Sequence, residues 1–149
     1  MSLVCDIAAE RGGFRIDARF QSRARVLAVQ GASGAGKTTL LHAIAGLIPV
    51  ERARFAIDGG AVMDTAAGLS PMPHRRGIGY VFQDMRLFPH LTVAGNIAFG
   101  RRFAADPPEI GPILALLDLE LLADRWVRNL SGGEARRVAI ARALATGPR

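Results

Sequence analysis

The residues with the clearest chemical potential lie in one glycine-rich segment, residues 31–38, which reads Gly-Ala-Ser-Gly-Ala-Gly-Lys-Thr. Glycines let such a loop curl so that its backbone N–H groups point at an anion, and a following helix adds its positive N-terminal end. Lys37 would reach the β- and γ-phosphates of a nucleoside triphosphate, and the Thr38 hydroxyl would bind the Mg²⁺ that bridges them. The predicted phosphate-binding residues are Gly31, Ala32, Ser33, Gly34, Ala35, Gly36, Lys37, Thr38 and Thr39.

The segments on either side of this loop have the patterns that a phosphate loop requires. Residues 24–30 are apolar and partly β-branched, which predicts a buried strand. Residues 39–47 have apolar side chains at helical spacing and predict a helix that ends near Pro49. The alternative is a glycine-rich turn with an incidental lysine, but the full pattern between a strand and a helix favours nucleotide binding.

Composition is typical of one globular domain. The chain has 149 residues, half of them hydrophobic, so it can bury a sizeable core. Its longest apolar stretches fall well short of the about 20 residues that span a bilayer, and the N-terminus lacks the pattern of a secretion signal. These features predict a cytoplasmic protein. The single cysteine, Cys5, forms no disulfide framework and is expected to be a small buried residue at the start of a strand.

The positive charge of the chain is almost entirely arginine. There are 19 basic and 13 acidic residues, a net charge of +6, and Lys37 is the single lysine. Arginine pairs at 75–76, 101–102 and 136–137 would suit nucleic acid, anionic lipid or water. No interleaved aromatic residues or groove-reading motif accompany them, so solvated surfaces are the favoured interpretation.

Hydrophobic periodicity predicts strands first and helices later. Residues 2–20 alternate apolar and polar side chains, as does the stretch from about 50 to 60, and both indicate antiparallel strand at a sheet edge. Residues 77–83 predict a second buried strand. From residue 87 to about 130 the pattern becomes helical, and a last helix begins at Ser131.

Three sequence signals mark helix starts. Thr92 is a plausible N-cap, Asp106 with the following prolines would open another helix, and residues 131–134, Ser-Gly-Gly-Glu, form a capping box. The capping box explains Ser131 and Glu134 but not the two glycines, each of which costs about 1 kcal/mol in a helix. An approaching phosphate would explain them, because it requires bare backbone at the helix end.

Three segments follow one another in the order and spacing that resemble the ATP-binding subunit of ABC transporters. They are the phosphate loop, Phe82-Gln83 at the end of a predicted strand, and residues 130–144. The resemblance implies an α/β fold, a P-loop NTPase core of ABC type with an antiparallel β edge and a helical subdomain. It also implies that ATP lies between the phosphate loop of one subunit and Ser131, Gly132 and Gly133 of another; residues 131–134 are called here the signature. Gln83 would contact Mg²⁺ or the attacking water as the catalytic residue. Phe14 would stack on adenine, or else is a core phenylalanine on its strand.

The same resemblance predicts the organisation of the chain. Residues 1–85 would be the nucleotide-binding core, 86–130 the helical subdomain, and 131–149 the signature helix that returns to the core. The family places an apolar strand ending in Asp-Glu, the Walker B region, after this helix, whereas the sequence ends at Arg149. The resemblance therefore implies a fold that is incomplete at the C-terminus and a fragment that is inactive by itself.

Neither the carboxylates nor the histidines of this sequence supply the missing elements. The apolar run at 113–118 ends in Asp118, but it continues with helical spacing and is interpreted as an amphipathic helix rather than a Walker B strand. His42, His74 and His90 all precede the signature, so none matches the family's switch histidine, and they suggest no metal cluster.

Residues 73–93 resemble more closely the ATPases of bacterial molybdate importers, although importers of other cargoes share much of this stretch. The implied function is energy coupling in an importer of molybdate or a related oxyanion, with ATP and Mg²⁺ as cofactors. The implied partners are a second ATPase subunit in a homodimer and a membrane-spanning permease that contacts residues 83–91. No nucleic acid is expected, and the location would be peripheral, on the cytoplasmic face of the inner membrane.

Two other functional classes share part of this pattern. A soluble ABC-type ATPase acting on nucleic acid or ribosomes would give the arginine pairs a role, but a short compact core favours transport. A small-molecule kinase would explain the phosphate loop, but it gives no reason for Gly132 and Gly133.

Overall fold

The computed structural model describes residues 1–104 and 106–149. These residues form two compact units, Met1–Arg76 and Gly77–Arg149, called here the first and second units. The phosphate loop lies in the first unit, and both Gln83 and the signature lie in the second. The three segments inferred from the sequence, divided at residues 85 and 130, stay a prediction.

The first unit contains a four-stranded antiparallel sheet with the strand order β2-β1-β3-β4. The predicted edge strand over residues 2–20 is two strands, because Gly12 and Gly13 have φ values of +58° and +78° and form a two-residue hairpin turn. The predicted antiparallel character is confirmed. The elements of this unit are β1 (Leu3–Arg11), β2 (Phe14–Ser22), α1 (Lys37–Ala45), β3 (Arg52–Ile57) and β4 (Gly60–Asp64), with a single 3₁₀ turn at Pro73–Arg75.

The two faces of this sheet differ in character. On the buried face Cys5 and Ile7 of β1 are 1% and 0% exposed. On the opposite face the Asp6 carboxylate accepts hydrogen bonds from the Arg52 guanidinium at 3.0 and 3.2 Å and pairs with Arg19 at 3.1 Å. Burial, helped by the nearby Asp6 charge, raises the pKa of the Cys5 thiol to about 11. Cys5 is therefore a buried strand residue, as the sequence predicted, and not a nucleophile at neutral pH.

The two strands predicted to be buried, residues 24–30 and 77–83, are wrong as secondary structure. Neither segment is a strand in the structure. Val26 is 85% exposed, and Leu27 and Val81 are 46% and 41% exposed. Apolar periodicity shows what a segment would bury, but a strand also needs a neighbour for its backbone hydrogen bonds, and no segment in the described ranges pairs with either one.

The second unit is helical, as predicted for the region after residue 87. Thr92 is the N-cap of its first helix, since its hydroxyl accepts from the Gly95 N–H at 3.1 Å. The core of the unit includes Val93, Ile97 and Val138, each fully buried. The helices are α2 (Val93–Arg101), α3 (Ile110–Leu116) and α4 (Gly132–Leu144), with single 3₁₀ turns at Glu120–Leu122 and Val127–Asn129.

The apolar run that ends in Asp118 is helical and not a strand, but the predicted continuation of the helix is wrong. Helix α3 ends at Leu116, and Asp118 has a φ of +51°, in the left-handed region that aspartate tolerates better than most residues. The break turns Leu119 into the core, where it is fully buried. The predicted start near Asp106 is also displaced, because Glu109 is the N-cap residue of α3.

Helix length bears on membrane insertion. Among the helices of the described residues, none combines the length and the apolar character needed to cross a bilayer.

Asn96 organises the irregular segment that precedes α2. Its side chain is fully buried, and its Oδ1 accepts from the Phe88 N–H at 2.8 Å. Its Nδ2 donates to the Phe88 carbonyl at 3.2 Å and to the Thr92 carbonyl at 3.0 Å. A single amide thus binds backbone groups at both ends of residues 88–92, and Phe88 lies in neither a strand nor a helix that would offer its N–H an acceptor.

Replacing Asn96 with alanine should therefore destabilise the intact protein by about 2–3 kcal/mol, because the partly buried Phe88 N–H would lose its acceptor and two carbonyls would lose a donor. Thr92→Ala is the matched control and should cost about 1 kcal/mol, the usual value of an N-cap. Urea unfolding followed by circular dichroism measures both. Equal losses in the two variants would show that Asn96 does not hold the segment.

Candidate functional site

The phosphate loop has a backbone that its glycines make possible. Gly34 and Gly36 have φ values of +82° and +86°, where side chains other than glycine are disfavoured. The loop is closed by a hydrogen bond from the Ala35 N–H to the Ala32 carbonyl at 3.2 Å. Helix α1 begins directly afterwards, with Gly36 as its N-cap. The predicted loop is therefore followed by the predicted helix, but the strand predicted before the loop is not formed.

Lys37 folds back over this loop. Its ammonium group donates to the Gly31 carbonyl at 2.9 Å and to the Ala32 carbonyl at 2.7 Å. The backbone N–H groups of the first turn of a helix have no acceptors within the helix, so those of Thr38 and Thr39 add donors beside the ammonium. The N–H of Leu40 is the first to bond within α1, at 2.9 Å to the Gly36 carbonyl. A positive charge and free N–H donors at a helix end are the chemistry that an anion requires.

Phe14 and the phosphate loop line one cleft. The cleft has a volume of about 280 Å³ and lies between β2 and the loop, with Phe14, Val29, Gly36 and Lys37 among its lining residues. Phe14 is 44% exposed. A Cβ atom on Gly36 would lie 2.8 Å from the Phe14 ring and 2.5 Å from Ile16, so the loop packs directly against β2. Part of the Phe14 ring thus packs on the loop while part stays open for stacking.

The signature residues cap helix α4 in the second unit. The Ser131 hydroxyl accepts from the Glu134 N–H at 3.3 Å, and the Glu134 carboxylate accepts from the Ser131 N–H at 2.7 Å, so the predicted capping box is present. The Ser131 backbone N–H and then the Ser131 hydroxyl lower the pKa of Glu134. A Cβ atom on Gly132 or Gly133 would meet no atom within 4 Å among the described residues. Internal packing among the described residues therefore does not require these glycines.

Gln83 is exposed and begins an unusual turn. The N–H of Met85 donates to the Phe82 carbonyl at 3.0 Å, and both Met85 and Arg86 have positive φ values, +58° and +45°. No metal-binding group of three or more His, Cys, Asp or Glu side chains occurs within residues 1–104 and 106–149.

The sequence interpretation missed two buried polar side chains near these segments, Asn96 and Arg76. Arg76 is 6% exposed and donates to the carbonyls of Ala43, Ile44 and Pro71 at 2.9–3.0 Å. It thereby caps the C-terminal end of α1, the helix that follows the phosphate loop. Burial lowers the pKa of the Arg76 guanidinium, which still stays charged. Two features of the sequence could have indicated them: Arg76 belongs to an arginine pair, and Asn96 is a polar residue in an otherwise apolar helix.

A family model described as "ABC transporter" matches residues 19–149. The chain belongs to the ABC transporter family. It is 46% identical to the molybdenum import ATP-binding protein ModC of Rhizobium meliloti (strain 1021), a match that covers 100% of this chain and 43% of the relative. It is 44% identical to the protein of the same name from Mesorhizobium japonicum, covering 99% of this chain and 41% of that relative. The chain thus spans less than half the length of these relatives.

Solved structures give the same result for the fold. The dimeric structure of a bacterial ABC transporter cassette is 27% identical, with a TM-score of 0.65, and the match covers 99% of this chain and 71% of that one. A post-hydrolysis state of such a cassette bound to ADP and Pi is also 27% identical, with a TM-score of 0.67 and the same coverage. The predicted fold, an ABC-type P-loop core with an antiparallel edge and a helical part, is confirmed, as is the resemblance to molybdate importer ATPases.

Two alanine variants separate backbone strain from crowding in the phosphate loop. Gly34→Ala and Gly36→Ala both place a side chain at positive φ, which costs about 1–2 kcal/mol. At Gly34 nothing lies within 4 Å of the new methyl group, whereas at Gly36 it collides with Ile16 and Phe14, which adds about 1–3 kcal/mol. Urea unfolding of the intact protein should therefore show the larger loss for Gly36→Ala. The reverse order would mean that the loop does not pack on β2.

Proposed function

We propose that the intact protein is the ATP-binding, energy-coupling subunit of an ABC importer for molybdate or a related oxyanion. The observation that carries the proposal is the phosphate loop, where the Lys37 ammonium donates to two loop carbonyls and helix α1 begins directly after the loop. The chemistry of the cargo comes from the relatives, which are named for molybdenum import. Hydrolysis of ATP by the intact protein would supply the energy for transport.

The residues of the first unit fit ATP with Mg²⁺. The backbone of residues 31–36 would bind the phosphates through N–H groups, and Lys37 would exchange its two loop carbonyls for the β- and γ-phosphates. Thr38 would hold Mg²⁺ through its hydroxyl, and Thr39 would add its backbone N–H. Phe14, at the mouth of the same cleft, would stack on the adenine ring. The Mg²⁺ would neutralise charge that develops on the phosphates during hydrolysis.

The residues of the second unit would complete a site shared between two copies. Ser131, Gly132 and Gly133 are exposed at the N-terminal end of a 13-residue helix, and nothing among the described residues crowds the two glycines. They would contact the ATP that the phosphate loop of the partner copy holds, which makes a homodimer the working assembly. Gln83 would contact the Mg²⁺ or the attacking water. A solved cassette of this family is a dimer, which supports the assembly.

A membrane-spanning permease would contact residues 87–91. The buried Asn96 amide holds the backbone of this segment, while Pro89 and His90 are exposed. The segment follows Gln83 directly, so contact with the permease would be sensitive to nucleotide state. The protein would accordingly lie at the cytoplasmic face of the inner membrane as a peripheral subunit.

The alternative of a soluble ABC-type ATPase that acts on nucleic acid or ribosomes has less support. Arg76, from the first arginine pair, is buried and donates to backbone carbonyls, so it is not available for phosphate groups of a nucleic acid. The relatives named above are import proteins. We therefore expect no nucleic acid partner.

Replacing Lys37 with alanine should weaken nucleotide binding by more than about tenfold, because a charge-assisted contact worth about 1.5–3 kcal/mol is lost. Titration of the intact protein with a fluorescent ATP analogue measures the affinity. Arg25→Ala removes an exposed positive charge from the segment before the loop and should leave the affinity unchanged. If the Lys37 variant also bound as tightly as the unaltered protein, the loop would not be the phosphate site.

Charging the permease-contact segment should uncouple transport from nucleotide binding. Phe88→Glu is expected to lower molybdate uptake by proteoliposomes of the intact transporter at least about tenfold while ATP affinity stays within about twofold, because Phe88 lies outside the phosphate loop. Leu121→Glu, at a fully exposed position of the same unit, is the control and should transport normally.

Cross-linking gives an independent check of the same contact. A cysteine at position 88 should cross-link to the permease, whereas one at position 121 should not, and the native Cys5 is buried and slow to react. Failure of every position from 85 to 92 to cross-link would contradict the assignment of this surface.

A further inference from the structure

The turn that follows Gln83 has a backbone that its own residues disfavour. Met85 and Arg86 are consecutive and have φ values of +58° and +45°. Left-handed conformations bring the Cβ atom of an L-residue too close to the following carbonyl oxygen, and glycine is the residue that normally avoids this cost. Two such residues in succession persist only where surrounding contacts hold them in place.

Arg142 of helix α4 supplies those contacts. Its two terminal nitrogens donate to consecutive carbonyls of the turn, Nη1 to Arg86 at 2.6 Å and Nη2 to Met85 at 2.8 Å. The guanidinium also lies 5.4 Å from the centre of the Phe88 ring. Arg142 is partly buried, and burial lowers the pKa of its guanidinium, but an arginine keeps its charge in a protein. The bonds are therefore charge-assisted at any working pH.

The backbone of Arg142 is held close to α2 and cannot easily move away from the turn. A Cβ atom on Gly100 of α2 would collide with the Arg142 carbonyl oxygen, so α2 and α4 pack backbone to backbone at this level. On the other side of the turn, the Arg86 side chain pairs with Asp84 at 3.1 Å and lies over the Phe82 ring at 4.3 Å. The turn is thus fixed from the side of α4 and within itself.

We propose that Arg142 is the positioning residue for Gln83: by binding the Met85 and Arg86 carbonyls it ties the strained turn after Gln83 to the signature helix. The inference rests on the proposed function, in which Gln83 contacts the Mg²⁺ or the attacking water. Arg142 lies eleven residues from Ser131 along one rigid helix, about 16 Å at 1.5 Å per residue. A shift of α4 when its N-terminal end engages nucleotide therefore moves the turn, and release of the turn lets Gln83 leave its place.

Lysine cannot perform this function fully. A guanidinium presents separate donors in a planar fork, which matches two neighbouring carbonyls, whereas an ammonium on a flexible chain is a single point of charge. Arg142→Lys should consequently keep part of the effect, and Arg142→Met, which preserves much of the apolar stem, should lose it.

The test uses the intact protein and measures ATP hydrolysis. Arg142→Met should lower kcat at least about tenfold with KM for ATP within about twofold, because the phosphate loop is untouched. The kcat of Arg142→Lys should fall between that of Arg142→Met and that of the unaltered protein. Arg136→Met removes an exposed arginine from the same helix and should hydrolyse ATP like the unaltered protein.

A second measurement does not depend on activity. Hydrogen exchange of the peptide covering residues 82–88 reports the N–H groups of Met85 and Arg86, which donate to the Phe82 and Asp84 carbonyls. Arg142→Met should speed this exchange at least about tenfold, with the peptide covering β1 unchanged. Arg142→Lys serves the same purpose if the methionine variant does not fold.

Three outcomes would overturn the inference. Unchanged exchange in the 82–88 peptide would show that Arg142 does not hold the turn. Faster exchange with unaltered kcat would show that the turn does not position Gln83, and a rise in KM with kcat unaltered would place Arg142 in nucleotide binding instead. Lys37→Ala separates the proposed function from this inference: if the unaltered protein shows no Lys37-dependent hydrolysis, the proposed function fails, and the exchange result still decides whether Arg142 holds the turn.

Discussion

The rest of the structure depends on one constraint: backbone N–H and C=O groups outside helices and sheets must still find hydrogen-bond partners. In both units, several segments that carry or adjoin candidate site residues are neither helix nor sheet, so they lack the regular hydrogen bonds of either. Three side chains supply the missing partners: Arg76 at the end of α1, Asn96 beneath residues 88–92, and Arg142 beside the turn after Gln83. Each makes several bonds at once, so one side chain fixes several backbone groups in each of these places.

Glycines in this chain serve two different physical purposes. Gly36 is crowded by Phe14 and Ile16, so the absence of a side chain there lets the phosphate loop pack on β2. Gly132 and Gly133 have open space where a side chain would be, although each weakens its helix by about 1 kcal/mol. The first kind of glycine serves the fold, and the second is consistent with an approaching ligand.

Sequence patterns predicted the local secondary structure better than they predicted which segments pair as strands. The helical region, the Thr92 cap and the Ser131 capping box depend on contacts within a few residues, and all three are present, as is the antiparallel strand character of residues 2–20, although these form two strands rather than one. The strands predicted at residues 24–30 and 77–83 depend on a neighbour elsewhere in the sheet, and they are not formed. The helix expected to run past Asp118 ends at Leu116 instead, where a left-handed Asp118 is followed by the buried Leu119.

The sequence alone determined the phosphate loop, its lysine and the family, because glycine conformational freedom and motif spacing are local properties that survive without tertiary information. The tertiary structure alone decided that Phe14 shares a cleft with Lys37, and that Arg76, Asn96 and Arg142 each bind particular carbonyls. Those contacts join residues up to 57 positions apart. No local pattern encodes them, because an arginine or asparagine meets its acceptors only where packing brings distant backbone within hydrogen-bond distance.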